Sequence, residues 1–75
     1  MKGLIEYVAK SLVDDPTEVR VTERTSPGEV QLELEVAPGD MGRVIGRAGR
    51  VASAMRMLLR VAAVKHGVRV TLDIR

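Results

Sequence analysis

The fold follows from the stretch Gly42-Arg43-Val44-Ile45-Gly46-Arg47-Ala48-Gly49-Arg50-Val51. Its Gly-x-x-Gly turn joins a short apolar segment to a long amphipathic helix. Gly46 and Gly49 carry no Cβ, so another backbone can approach the turn closely. Arg47 and Arg50 bring positive charge to the same place. A turn of this kind suits a sugar-phosphate strand, which indicates RNA as the partner.

The segments on either side of this turn are predicted to be helices of unequal length. Asp40 is expected to cap a short helix over residues 41–45, with its carboxylate accepting the free amides of the first turn. Behind the turn, apolar residues recur at i, i+3, i+4 and i+7 and predict one long helix from Arg50 that ends at Gly67. Its predicted buried stripe consists of Val51, Ala54, Met55, Leu58, Leu59 and Ala62.

Alternating apolar and polar residues predict three strands. The first two form a hairpin through Ser26-Pro27-Gly28, and the third runs over residues 68–74. An amphipathic helix precedes them and is stopped by Pro16. Strands two and three are expected to be parallel neighbours because two helices connect them, with the first strand antiparallel on the other side. The predicted fold class is therefore α+β, in the order α-β-β-α-α-β, with three helices on one face of a three-stranded mixed sheet.

Composition limits what the chain can do. Its 75 residues predict one small domain over residues 1–75. The absence of cysteine and the single histidine leave no thiolate nucleophile and no usual zinc site, and the glycines match neither a P-loop nor a dinucleotide fingerprint. We therefore expect no enzyme, no metal and no cofactor. With no apolar run that could span a bilayer and no signal-peptide core, the expected location is the cytoplasm, with no membrane contact.

The formal net charge of +2 hides an uneven distribution. Glutamates dominate the segment before the turn, whereas residues 42–65 contain no acid. The basic residues of that segment are Arg43, Arg47, Arg50, Arg56, Arg60 and Lys65. A basic face is thus concentrated around one loop and one helix. Arg56 and Arg60 extend a phosphate track in one interpretation and form the solvated face of the helix in the other.

The element order, with Val44-Ile45-Gly46-Arg47-Ala48-Gly49-Arg50-Val51 between the central helices, resembles the K-homology (KH) domain in its type II arrangement. Leu12-Val13-Asp14 followed by Pro16, and Val36-Ala37-Pro38 with Asp40-Met41-Gly42 leading into the loop, are similar to the small bacterial KH proteins of the KhpA family. The resemblance covers essentially the whole chain. It implies a cytoplasmic RNA-binding protein that self-associates and partners a larger multidomain KH protein (KhpB, also called Jag or EloR). It also implies RNA chaperoning or post-transcriptional regulation linked to cell-wall and cell-shape control.

In KH domains the Gly-x-x-Gly turn clamps the backbone of about four single-stranded nucleotides. By this resemblance Gly46 and Gly49 allow close contact at the loop 46–49, and Arg47, followed by Ala48, meets phosphate. The bases face an aliphatic groove. Candidates for its lining are Val44, Ile45 and Val51, with Gly42 permitting approach and Arg43 and Arg50 at the margins, although some of these aliphatic residues must also serve the core.

Two classes of function remain open from the sequence. The first is a binding module that holds short single-stranded RNA. The second is a protein-interaction subunit, in which the KH surface serves dimerisation or a larger partner and RNA contact is secondary. Tyr7 is the only aromatic residue, so an aromatic stacking platform is excluded and affinity is expected to be modest. Single-stranded DNA stays an alternative because no reader of the 2′-hydroxyl is evident.

Overall fold

A computed structural model describes all 75 residues and has the element order expected from the sequence. The elements are α1 (Lys2–Leu12), β1 (Arg20–Ser26), β2 (Glu29–Glu35), α2 (Met41–Ile45), α3 (Arg50–His66) and β3 (Arg69–Ile74). Single 3-10 turns lie at Pro16–Glu18, Pro38–Asp40 and Arg47–Gly49. The predicted α+β class is therefore confirmed. None of the helices combines the length and the apolarity that a bilayer crossing requires.

The sheet has the order β1-β2-β3, with β2 in the centre. β1 pairs antiparallel with β2, placing Val21 opposite Leu34, and β2 pairs parallel with β3, placing Leu32 opposite Leu72. Both pairings are those predicted from the sequence. Because β2 and β3 run in the same direction, α2, the Gly-x-x-Gly loop and α3 form the crossover between them.

The core lies between one face of the sheet and the helices. Alternate residues of the strands point into it, as the period of two predicts. The cluster of buried residues is Ile5, Ala9, Val19, Val21, Val30, Leu32, Leu34, Val44, Met55, Leu59 and Leu72. The other sheet face is polar, and Glu33 there forms ion pairs with Arg24 at 3.7 Å and Arg75 at 3.8 Å. One face of the sheet is therefore aliphatic and the other polar.

The predicted buried stripe of α3 is partly wrong. The buried residues of α3 are Ala52, Met55, Leu59 and Ala63, whereas Ala54 is exposed and the Leu58 side chain is 48% exposed. Apolar residues occupy more than one face of this helix, so the i, i+3, i+4 rule is satisfied by two overlapping stripes. Docking on the sheet selects the stripe through Ala52 and Ala63.

Replacing Leu59 with Ala tests which stripe packs on the sheet, and the same change at the adjacent Leu58 is the matched control. Leu59 is 1% exposed, so Leu59→Ala is expected to lower the free energy of unfolding by about 3 kcal/mol through lost burial and the cavity left behind. Leu58→Ala is expected to change it by less than about 1 kcal/mol, because the side chain is half exposed. Urea denaturation at low protein concentration measures both. Equal losses would contradict this packing of α3.

Candidate functional site

The loop between α2 and α3 changes chain direction within four residues. Gly46 has φ 77 and ψ 169, Ala48 has φ 56 and ψ 27, and Gly49 has φ 73 and ψ 16. The Gly46 amide donates to the carbonyl of Gly42 at 2.9 Å, and the Gly49 amide donates to the carbonyl of Gly46 at 3.1 Å. Ala48 is the only residue other than glycine with a positive φ. The turn is therefore closed by its own backbone hydrogen bonds.

Gly46 is required by packing as well as by its backbone angles. A Cβ built on it would lie 2.5 Å from Cγ2 of Val51 and 2.9 Å from the Val51 backbone nitrogen. The first turn of α3 therefore rests directly against the end of α2. Gly49 differs, since a Cβ there would meet open space and only its φ favours glycine.

The arginines around the loop fall into two groups. Arg47 and Arg50 are exposed, and neither has a carboxylate within 4.0 Å. Arg43 is instead paired with two aspartates, with Nη2 3.0 Å from Oδ2 of Asp14 in the segment after α1 and Nε 3.6 Å from Oδ1 of Asp40. Only the first two therefore present uncompensated charge at the turn.

The basic residues of the loop and α3 have no ion pair, whereas most of those elsewhere in the fold have one. The ion-paired basic residues are Lys2, Lys10, Arg24, Arg43 and Arg75. The residues without such a pair are Arg20, Arg47, Arg50, Arg56, Arg60, Lys65 and Arg69. Most of the unpaired ones lie within residues 47–65, where no acid is present. The loop and α3 therefore carry a positive field that the net charge of +2 understates.

The aliphatic residues near the loop have different positions. Val44 is fully buried and belongs to the core. The Ile45 side chain is 38% exposed, and Val51 is half-buried where it packs against the core and beneath Gly46. Gly42 is exposed. Ile45 and Val51 are therefore accessible at the loop whereas Val44 is not, a division that the sequence pattern left open.

A groove lies between α3 and β3. Its cavity of about 190 Å³ is lined by Arg56, Leu59, Arg60, Val70, Thr71 and Leu72. Arg56 is half-buried there and donates Nη2 to the carbonyl of Leu72 at 3.1 Å. The spacing of Arg56 and Arg60 predicts that both lie on one side of α3. No signal in the sequence indicates that β3 forms the other side of the groove.

The prediction that the Asp40 carboxylate accepts amides of the first turn of α2 is wrong. No side-chain hydrogen bond caps this helix. The Asp40 carboxylate instead accepts the Asp14 amide at 3.1 Å through Oδ1 and the Asp15 amide at 3.2 Å through Oδ2. Asp40 is 4% exposed, because the chain leaving α1 passes over it. A contact across 25 and 26 residues outcompetes the local cap that the sequence suggests.

The surface of α3 away from the sheet is apolar. Met57, Leu58, Val61 and Val64 are between 48% and 82% exposed, and they follow the i, i+1, i+4, i+7 spacing of one helix face. Tyr7 on α1 is also largely exposed. Contiguous exposed apolar side chains of this size mark interaction surfaces in soluble proteins.

Comparison with known proteins gives one consistent result. The family model described as KhpA/KhpB, KH domain matches residues 2–74. RNA-binding protein KhpA of Clostridium acetobutylicum is 54% identical over 74 residues, covering 99% of each chain. RNA-binding protein KhpA of Clostridium perfringens is 47% identical with the same coverage, and that of Aquifex aeolicus is 45% identical over 99% of this chain and 94% of its own. No solved structure matches the chain.

Substitution of the two loop glycines by alanine is expected to separate packing from backbone strain. Gly46→Ala should lower the free energy of unfolding by about 3 kcal/mol or more, because it combines a positive φ with a Cβ 2.5 Å from Val51. Gly49→Ala should lower it by about 1 kcal/mol, the cost of the left-handed backbone alone. Chemical denaturation measures the difference. A Gly49→Ala loss as large as that of Gly46→Ala would contradict the close approach of α3 to α2.

Proposed function

The chain belongs to the KhpA/KhpB family of KH domains, and on that premise we propose that it is a non-enzymatic module that binds short single-stranded RNA. In this proposal residues 1–75 act as one KH domain, and the loop at residues 46–49 clamps the RNA backbone. The observation that carries it is the coincidence of a glycine turn with the unpaired Arg47 and Arg50, on an acid-free segment.

The clamp works by close approach and charge. The exposed side of the turn lets a phosphate come near the backbone, and Arg47 and Arg50 neutralise it without first giving up a carboxylate partner. Gly42 and Arg43 lie at the margin, where the Arg43 charge is already shared with two aspartates. A strand leaving the loop along Arg56 and Arg60 enters the groove beside β3.

The bases of such a strand meet aliphatic side chains rather than rings. Ile45 and Val51 are the accessible aliphatic residues at the loop, and Tyr7 lies on α1 rather than in the groove. Without stacking on aromatic side chains, each base contributes little binding energy. The affinity of one domain is therefore modest, and pairing of domains raises it through effective concentration.

The biological setting of the proposal comes from the family. A chaperone or regulatory role on RNA, a cytoplasmic location and a link to cell-wall and cell-shape control belong to this proposal. So does a heteromer with the larger KhpB protein, whose name the matching family model shares. Weak, sequence-tolerant clamping suits a protein that remodels RNA, because it lets strands exchange.

Charge reversal in the loop tests the proposal. A fluorescence-anisotropy titration of a short single-stranded RNA, at two salt concentrations, compares the wild type with the Arg47→Asp, Ala48→Asp double variant. The wild type is expected to bind more weakly at higher salt, and the variant to lose at least about tenfold in affinity, because a phosphate contact becomes repulsive. Asp is tolerated at position 48, where φ is 56, so the loop should keep its shape.

The matched control is Arg20→Asp with Ser26→Asp, which removes the same net charge on β1. Both residues are exposed and lie away from the loop and α3. This control is expected to lose less than about threefold in affinity, as long-range charge alone allows. Equal losses in the two variants, or no wild-type binding, would refute the clamp at residues 46–49. The same titration with single-stranded DNA shows whether the clamp distinguishes the two.

The second candidate function, a protein-interaction subunit, is favoured by the exposed apolar face of α3. That face and the basic flank with Arg56 and Arg60 lie on different sides of the helix, at 100° per residue. Two copies can pair through Val61 and its neighbours while Arg56 and Arg60 stay open, and Arg50 lies on the same side of α3 as Val61 but about 16 Å away along the helix axis. A homodimer of this kind presents two weak RNA sites on one particle, which joins the two functions rather than separating them.

Val61→Glu tests association through α3, with Thr22→Glu as the control on the polar face of the sheet. Val61→Glu is expected to weaken self-association by at least about tenfold, because an unpaired charge would be buried at the contact. Thr22→Glu is expected to leave it unchanged. Sedimentation velocity over a range of concentrations measures the monomer fraction, and circular dichroism confirms folding. A wild type that stays monomeric, or a Val61→Glu variant that still associates, would contradict this surface.

A further inference from the structure

Helix α2 cannot hold the loop in place by itself. It has only five residues, Met41–Ile45, and no side chain caps its first turn. Helices of this length are unstable alone, because nucleation costs more than the few hydrogen bonds return. Val44 is its single buried residue. The orientation of α2, and of the glycine turn that follows it, must therefore come from contacts outside the helix.

Asp40 supplies such a contact at the start of α2. Both of its carboxylate oxygens accept backbone amides from the segment that leaves α1, at Asp14 and Asp15. Asp40 is only 4% exposed, whereas Asp14 and Asp15 lie at the surface, so the arrangement is partly buried. Arg43, one turn along α2, forms ion pairs with both Asp40 and Asp14. Hydrogen bonds to an ionised acceptor are stronger than neutral ones, so this is a stiff connection.

The connection reaches the loop through the backbone. Asp40 directly precedes α2, and the Gly46 amide is bonded to the carbonyl of Gly42 in the first turn of that helix. Gly46 in turn holds the Gly49 amide. A rotation of α2 about its N-terminal end therefore moves the whole Gly-x-x-Gly loop relative to Arg50 and α3.

We propose that Asp40 is the positioning residue of the RNA clamp, which it orients by anchoring α2 to the amides of Asp14 and Asp15. This inference rests on the proposed function. It assigns no contact between Asp40 and RNA. Arg43 is paired with Asp40 and Asp14 and is therefore not a free phosphate contact.

The proposal can be tested by the direction in which RNA affinity changes when an acid near the clamp is neutralised. Neutralising an acid near the clamp should by itself strengthen RNA binding, because it makes the site more positive. Asp14→Asn does this and leaves both Asp40 hydrogen bonds in place, since Asp14 donates only its backbone amide to them. It gives up only the exposed ion pair with Arg43, and exposed pairs of this kind add little stability. Asp40→Asn makes the same charge change a few ångströms away. It also puts an amide NH₂, a donor, against one of the two backbone donors.

Anisotropy titration of a short single-stranded RNA compares these two variants with the wild type. Asp14→Asn is expected to bind as tightly as the wild type or up to about threefold more tightly. Asp40→Asn is expected to bind about tenfold more weakly despite its extra positive charge, because the turn is misplaced. The comparison is made at a temperature where amides of α3 and β2 remain protected from hydrogen exchange, so that lost affinity does not reflect unfolding.

Hydrogen exchange of the wild type provides a second test that needs no variant. If Asp40 anchors the clamp, the amides of Asp14, Asp15, Gly46 and Gly49 are expected to exchange through one shared opening, with the same dependence on denaturant. Asp40→Asn binding as tightly as Asp14→Asn, or independent opening of the two amide pairs, would overturn the proposal. An absence of wild-type RNA binding would refute the proposed function alone, and hydrogen exchange would still decide whether Asp40 positions the loop.

Discussion

The parallel pairing of β2 with β3 imposes the constraint on which the rest of the structure depends. Parallel neighbours cannot be joined by a tight turn, so the chain must return along the sheet through a crossover. Here that crossover is two helices, and the break between them is the glycine turn. Since Gly46 lets Val51 approach, α3 begins directly on the end of α2. The proposed clamp therefore stands on the one connection that the sheet topology requires.

Most basic side chains of α1 and the sheet are ion-paired, whereas those of the loop and α3 are not. On the open sheet face Glu33 holds Arg24 and Arg75, and on α1 Glu6 holds Lys2 and Lys10. Exposed pairs of this kind add little stability, but they cancel positive charge away from the loop. From Arg47 to Lys65 no carboxylate is available in the chain to do the same. The resulting field is local, and at physiological salt it is screened within about 8 Å.

Helix α3 presents three sides with different surroundings. Met55 and Leu59 face the sheet, Arg56 and Arg60 line the groove beside β3, and Val61 with its apolar neighbours faces outward. A period of 3.6 residues gives a helix enough circumference for all three. The inner side stabilises the fold, and the other two are available for partners. The proposed RNA contacts of Arg56 and Arg60 and the proposed association through Val61 therefore use different sides of one helix.

The sequence by itself determined the elements, their order, the sheet pairing and the position of the loop. These follow from local periodicity, turn residues and the crossover rule, so Val30, Leu32 and Leu34 could be assigned to one buried face directly. Three features depended on tertiary structure: the buried stripe of α3, the partners of Asp40, and the pairing of Arg43. Two stripes of α3 satisfy the same helical period, and Asp40 satisfies the same local rule whether it caps α2 or not. Only the docking of α1 and the sheet, which are distant in sequence, chooses between those alternatives, because it decides which side chains lose water and which amides come within reach.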